Sequence, residues 1–312
     1  MSFQYLSPRD SPKFKDRYTT KVDESRAFYE KGKRGEVGVI GLPSSKSSIS
    51  FSLAAEAPVT IRKTLGSFST YDGDRDHDFS DIVWLDYGDV QTHPTDLQET
   101  LHRLNQSVTD MLETEACRRY IILGGDHGIS FPSISAFQKK YGRIGVIQWD
   151  AHHDLRNLDD GGRTNGTPFR SLLEADVLKG EDLVQVGIRD FSNAKAYADY
   201  AKEKGVRFYT MGDVERHGVN AIVLKEIDKL KDKVDMIYLS VDMDVVDQAF
   251  APGCPAVGPG GMTSRELLSS VAVAARHPLV KAMDIVEVDP SKDVRDITSR
   301  LAAHVMMRFM YL

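Results

Sequence analysis

The residues of this chain with types and spacing suited to chemistry fall in four short clusters: Gly124-Gly125-Asp126-His127, Asp150-Ala151-His152-His153-Asp154, Asp242-Met243-Asp244 and Val286-Glu287-Val288. Asp150, His152 and Asp154 follow the apolar run Ile144–Trp149, so strand alternation or a tight turn puts all three on one side. Hard oxygen donors mixed with imidazole suit a divalent ion such as Mn2+ better than a thiolate-loving one. Taken alone, the stretch reads equally well as a polar loop capping a helix. Asp242 and Asp244 share a side if their strand continues, and two carboxylates so placed must raise a pKa or find a cation. Glu287 lies between two valines and needs a partner, because burying a lone carboxylate costs on the order of several kcal/mol. Singly, His127 reads as an ordinary loop histidine. Together, His127, Asp150, His152, Asp154, Asp242 and Asp244 supply two imidazoles and four carboxylates, enough to neutralise two divalent cations. Two-metal hydrolytic sites hold such ions about 3.5–4 Å apart.

What positions these clusters is a rhythm of short β-rich runs and helical stretches that starts at Val37. Eight strands are expected, at 37–42, 82–86, 120–123, 144–149, 183–187, 206–210, 236–241 and 280–288. Most are continuous apolar runs, as expected when both sheet faces are covered. Helices are expected from Pro58 to Gly66, from Thr95 or Asp96 through Leu112, and near 192–204, 220–230, 264–275 and 298–310. Such alternation predicts a parallel sheet between helical layers. Ligands of such sheets bind beyond the carboxyl ends of the strands, which gathers the four clusters at one edge. Residues 1–34, polar and broken by Pro8 and Pro12, read as an N-terminal arm; 35–312 read as a single α/β domain.

With 41% hydrophobic and 28% charged residues the composition is that of a globular protein. A formal net charge of -6 offers no electrostatic reason to expect nucleic acid or an anionic membrane as partner. Cys117 and Cys254 stand far apart in no metal spacing, which suits a reducing compartment. With no signal-like N-terminus and no long apolar run, the expected location is cytoplasmic.

Gly124-Gly-Asp-His127, Asp150-Ala-His-His-Asp154, Ser240-Val-Asp-Met-Asp-Val-Val-Asp247 with Ala251-Pro-Gly253, and Val286-Glu-Val-Asp-Pro290 resemble the arginase/agmatinase (ureohydrolase) family, in order along nearly the whole globular part. The resemblance implies a three-layer α/β/α fold around an eight-stranded, mostly parallel sheet. It also implies two Mn2+ per subunit at the six positions above, and a metal-bridging hydroxide that attacks a guanidinium or amidine carbon. By the same resemblance Asp154 also holds that hydroxide, and Glu287 pairs with the cationic C–N group of a small-molecule substrate. Members often form homo-oligomers.

In arginases and agmatinases a histidine assigned as a proton shuttle precedes Gly-Thr-Pro or Gly-Met-Pro; here that residue is Asn165, which does not titrate. Thr164-Asn-Gly-Thr-Pro-Phe169 together with Asp150-Ala-His-His-Asp154 resembles the formimidoylglutamase branch, which hydrolyses N-formimidoyl-L-glutamate to L-glutamate and formamide in histidine degradation. Two substrate carboxylates call for basic or polar partners, and the candidates are Arg156, Arg163, Asn165 and Lys46, with Arg170 behind them. The alternatives are an agmatinase or guanidinobutyrase releasing urea and, from another class, a catalytically silent arginase-fold binding protein.

Overall fold

A computed structural model describes residues 16–312, so Pro8, Pro12 and the first part of the expected arm lie outside the described residues. In chain order the elements are β1 (Arg26–Phe28), β2 (Gly35–Leu42), α1 (Ala57–Leu65), β3 (Tyr71–Asp72), β4 (His77–Asp78), β5 (Trp84–Asp89), α2 (Leu97–Glu113), β6 (Cys117–Gly124), α3 (Ser130–Tyr141), β7 (Ile144–Trp149) and α4 (Pro168–Glu174). Then follow β8 (Leu183–Ile188), α5 (Lys195–Lys204), β9 (Arg207–Thr210), α6 (Met211–His217), α7 (Val219–Leu230), β10 (Met236–Asp242), α8 (Ser264–Ala275), β11 (Val280–Val286) and α9 (Ile297–Met310).

Nine strands form the main sheet, in the order β1-β5-β2-β6-β11-β10-β7-β8-β9. All its pairings are parallel. The ninth, β1, extends the expected eight by pairing with β5 through Arg26, Ala27 and Phe28. It has no apolar run to announce it, since two of its three residues are exposed. Tyr71–Asp72 and His77–Asp78 pair as the antiparallel ribbon β3–β4, joined by an exposed turn.

Alternation along the buried strands builds a core on each face of the sheet. Ile147, Trp149, Ile237, Leu239 and Val241 pack with α1, α7, α8 and α9 residues such as Ile61, Ile222, Leu267 and Val305. Ile144, Val146, Met236 and Tyr238 pack on the other side with α2, α3 and α4 through Leu104, Ile134 and Phe169. This is the three-layer arrangement. Local signals set the helix starts: the Asp96 carboxylate accepts the Glu99 N–H at 3.1 Å, and Thr263 with Glu266 forms a reciprocal capping box at α8.

The four strands that precede the chemical clusters, β6, β11, β10 and β7, are neighbours at the sheet centre. Their ends are nearly flush: Ile285 pairs with Leu123, Asp242 with Val286, and Val241 with Trp149. The next few residues of each strand therefore converge on one patch at the carboxyl edge.

Candidate metal centre

His127 leaves β6 in a single 3-10 turn, capped by the Asp126 carboxylate on the Gly128 N–H at 3.0 Å. Its Nδ1 stands 3.1 Å from Asp150 Oδ2, 2.9 Å from Asp154 Oδ2 and 3.1 Å from Asp242 Oδ2. Beside it, His152 Nδ1 lies 3.0 Å from Asp244 Oδ2 and 3.5 Å from Asp150 Oδ1. His127, Asp150 and Asp154 form one group with metal-compatible geometry, and Asp150, His152 and Asp244 form another. Asp150 belongs to both, one oxygen turned to each histidine. The structure thus brings all six expected residues together, and all but His152 and Asp154 are fully buried.

A layer behind the site orients His127. Asp284, in the middle of β11, accepts from Ser130 Oγ at 2.6 Å, Tyr238 OH at 3.0 Å and Ser240 Oγ at 2.8 Å. Ser240 has a single proton and gives it to Asp284, so it accepts from His127 Nε2 at 2.9 Å. Nδ1 is then free to aim a lone pair at the carboxylates, with which it makes no hydrogen bond. An imidazole lone pair facing three carboxylate oxygens in a buried site fits a cation between them. Ser240→Ala is expected to weaken Mn2+ binding roughly 10–100-fold, read by competition with a chelator, with the fold retained. An unchanged affinity would mean that this relay does not set the ligand.

With no cation bound, the electrostatics of the site favour protons on several of these groups. Burial, with Asp150 beside it, lifts Asp154 to about 6; burial, with Asp244 and Asp150, holds Asp242 well above the carboxylate range. Asp244, against the cost of burial, pushes His152 up to about 12. Burial and then Asp126 raise Glu287 to about 8. A raised native pKa contributes stability that is complete below the unfolded value and is lost as pH climbs through the native one. For Asp154 that window runs from 3.8 to about 6, and for Glu287 from 4.5 to about 8. Chelator-treated protein is therefore expected to melt at lower temperature at pH 8 than at pH 5, and Mn2+ to restore the loss while releasing protons. Metal-free protein that is more stable at pH 8 would contradict these shifts.

Asp154 and Glu287 both have left-handed backbones, with φ of 51° and 59°. For non-glycine residues this costs on the order of 1 kcal/mol each, and such conformations gather at functional sites. Glu287 is anchored by its N–H to Gly125 O at 3.0 Å. Its Oε1 accepts from the His127 N–H at 2.8 Å and from Asn165 Nδ2 at 3.0 Å. Its Oε2 is buried with no partner among the described residues. Glu287, with His152, Asp154, Asp242 and Asp244, lines a cleft of about 380 Å³.

Of the expected substrate contacts, Arg156 and Asn165 line this cleft, alongside Ile49, Asn193 and Tyr197. The Arg156 guanidinium lies 5.8 Å from the Tyr197 ring centre and makes no ion pair among the described residues. Gly166 makes room for it, since a Cβ there would come within 2.7 Å of Arg156 Cδ. Arg163 and Lys46 do not reach the cleft. Arg163 sits 4.3 Å over the Phe131 ring, beside Ser47 and Leu101, and Lys46 donates to Pro94 O. Arg170 stacks on Tyr200 and pairs with Glu174. For Arg163 and Arg170, nearness in sequence to Asn165 left the direction of the side chain open.

Gly128 lets its loop close in on Ser47, whose Oγ a Cβ at this position would meet. Asp126 accepts from Ser47 N at 3.1 Å, Ser47 Oγ at 2.7 Å and Ser48 Oγ at 3.0 Å as well as from the Gly128 N–H. His153 turns away from the cleft, with Nδ1 2.7 Å from Gln185 Oε1. Sequence reasoning passed over Ser240, Asp284 and Arg189. Buried Arg189 donates to the carbonyls of Asp244 at 2.6 Å and Val246 at 3.2 Å, and so fixes the turn that presents Asp244. The available signal was a polar residue inside an apolar run, as at Asp284 within Ala282–Val286.

A parallel sheet between helical layers, with a carboxylate–imidazole centre at its carboxyl edge, defines a class of metal-dependent hydrolytic folds. Residues 35–311 match the model of the arginase family, and the chain belongs to that family. It is 53% identical to a formimidoylglutamase from Halalkalibacterium halodurans over 99% of this chain and 96% of the relative. The crystal structure of formimidoylglutamase from Bacillus subtilis superposes with a TM-score of 0.94 at 43% identity, over 98% of this chain and 95% of that one. A proclavaminate amidinohydrolase from Streptomyces clavuligerus is 32% identical over 88% of this chain and 87% of its own length, so relatives with different substrates share the frame.

Proposed function

We propose that the protein hydrolyses N-formimidoyl-L-glutamate to L-glutamate and formamide with two Mn2+ ions per chain, held by His127, Asp150, Asp154 and Asp242 on one side and by Asp150, His152, Asp242 and Asp244 on the other. The observation that carries the reading is the polarity of the cleft. Glu287 Oε2 is a buried carboxylate oxygen without a partner, and Arg156 on the same wall is a cation without an ion pair among the described residues. A substrate cationic at one end and anionic at the other answers both. The extensive likeness to formimidoylglutamases supports the particular substrate.

Bound cations supply Lewis acidity and lower the pKa of water at the centre. The chain's own residues do the rest. Glu287 takes the N–H of the amidinium and sets the angle of its planar carbon. Arg156 pairs with a carboxylate at the far end, and the two contacts hold the carbon at attack distance. Asp154, fixed by its backbone conformation, holds the attacking water and takes up its proton. Water adds to the amidine carbon, the bond from that carbon to the glutamate nitrogen breaks, and that nitrogen leaves with a proton.

A guanidino acid such as guanidinobutyrate shares the two poles and is the second reading. Agmatine fits less well, because its ammonium would face Arg156. Purified protein loaded with Mn2+ is to be offered formimidoylglutamate, guanidinobutyrate, agmatine and arginine, with glutamate, formamide and urea assayed separately. Glutamate and formamide from the first substrate are expected. Urea from a guanidine with no glutamate would overturn the reading, and turnover of none would favour a silent binding protein. No described helix is long and apolar enough to cross a membrane, in keeping with our proposal of a cytoplasmic enzyme of histidine degradation.

A further inference from the structure

Asn165 is engaged at both ends of its side chain. Its Oδ1 accepts the Ile49 N–H at 3.0 Å, and its Nδ2 donates to Glu287 Oε1 at 3.0 Å. A backbone N–H can only donate, so Ile49 dictates which way the amide is turned. The Asn165 N–H also donates to Ser47 O at 2.8 Å. Ser47 is pinned in turn by Asp126, across the space that Gly128 leaves open. Asn165 thus joins a stitched loop to one oxygen of Glu287. With the His127 N–H also on Oε1, that oxygen has two donors, and Oε2 alone is left for a ligand.

We infer that Asn165 is a positioning residue: through Oε1 it locks Glu287 against the Ser47–Ile49 loop, so that Oε2 alone meets the cationic nitrogen of the substrate. This rests on the reading that Glu287 pairs with the substrate. It gives Asn165 a role beside the expected contact with substrate, for which the second hydrogen on Nδ2 is left. Freed from Oε1, the carboxylate would turn, and a misplacement of about 1 Å at a reacting group can cost about 100-fold.

The test is a double-mutant cycle on the Mn2+-loaded protein, with Asn165→Ala, Glu287→Gln and the double variant, and with metal content and melting temperature measured for each. Asn165→Ala is expected to lower kcat/KM roughly 10–100-fold, mostly in kcat, with two Mn2+ retained. In the Glu287→Gln background the same substitution should cost less than about twofold, because the charge that Asn165 positions is gone. An equal loss in both backgrounds, no loss in the wild-type background, or loss of metal would overturn the inference. Asn165→Asp, which keeps the acceptor for Ile49 and removes the donor, should lose as much as alanine and serves in the cycle if the alanine variant does not fold; wild-type activity in it would equally overturn the inference. If the wild-type protein turns over a guanidine and not formimidoylglutamate, the substrate assignment fails, and the cycle is read on that guanidine.

Discussion

Asp150→Ala is expected to abolish binding of both proposed cations, because Asp150 stands in both groups of metal-compatible residues and turns one oxygen to each. Its oxygens divide between His127 and His152, at 3.1 and 3.5 Å. Burial opposes its ionisation, yet His127 and His152 together hold its pKa below the ordinary range, so the carboxylate is charged and ready. Losing the centre removes at least several kcal/mol of transition-state stabilisation, so kcat/KM should fall by about 1,000-fold or more. Metal analysis after dialysis checks the first half and turnover the second. Asp244→Ala, which alters only the His152 side, should keep more metal than Asp150→Ala. A variant without Asp150 that retained two equivalents would show that the ions are held otherwise.

Glu287→Gln should have the next largest effect and of a different kind. Glutamine keeps the shape and can still accept the His127 N–H, but its charge is gone. Losing one partner of a buried charged contact costs roughly 2–5 kcal/mol, so a fall of about 100- to 1,000-fold in kcat/KM is expected. Glu287 belongs to neither ligand group, so Mn2+ should stay bound. The upward shift of this carboxyl to about 8 also disappears, and the stability of metal-free protein should fall less between pH 5 and pH 8. Activity close to wild type, or metal lost with the charge, would remove Glu287 from the role given to it.

The six-residue constellation was legible because it rests on two robust rules: apolar runs covered on both faces mark parallel strands, and polar residues just beyond their ends meet at one edge. Glu287 was legible as a carboxylate among valines. The layer behind them was there to be read but went unread: Ser240 and Asp284 interrupt apolar strands, yet a strand pattern does not say that two such interruptions face each other across β10 and β11. Their register pairs them directly. The left-handed backbones of Asp154 and Glu287 leave no mark in residue type, since asymmetry of this kind is imposed by the tertiary structure. Loop side chains were read worst. Arg156, Arg163 and Lys46 look alike in sequence, and only packing sends the first to the cleft and the others to Phe131 and Pro94. Asn165 was read as a departure from a shuttle histidine, while its partner, Glu287, lies 122 residues away.

The most direct test of the account is which bond of N-formimidoyl-L-glutamate the Mn2+-loaded protein breaks. Glu287 and Arg156 both line the cleft, and a substrate held between them is expected to lose its inner C–N bond, so free L-glutamate and formamide should appear in equal amounts, with no ammonia. N-formylglutamate with ammonia would mean that the outer nitrogen leaves instead, and that the substrate does not lie between Glu287 and Arg156 as proposed.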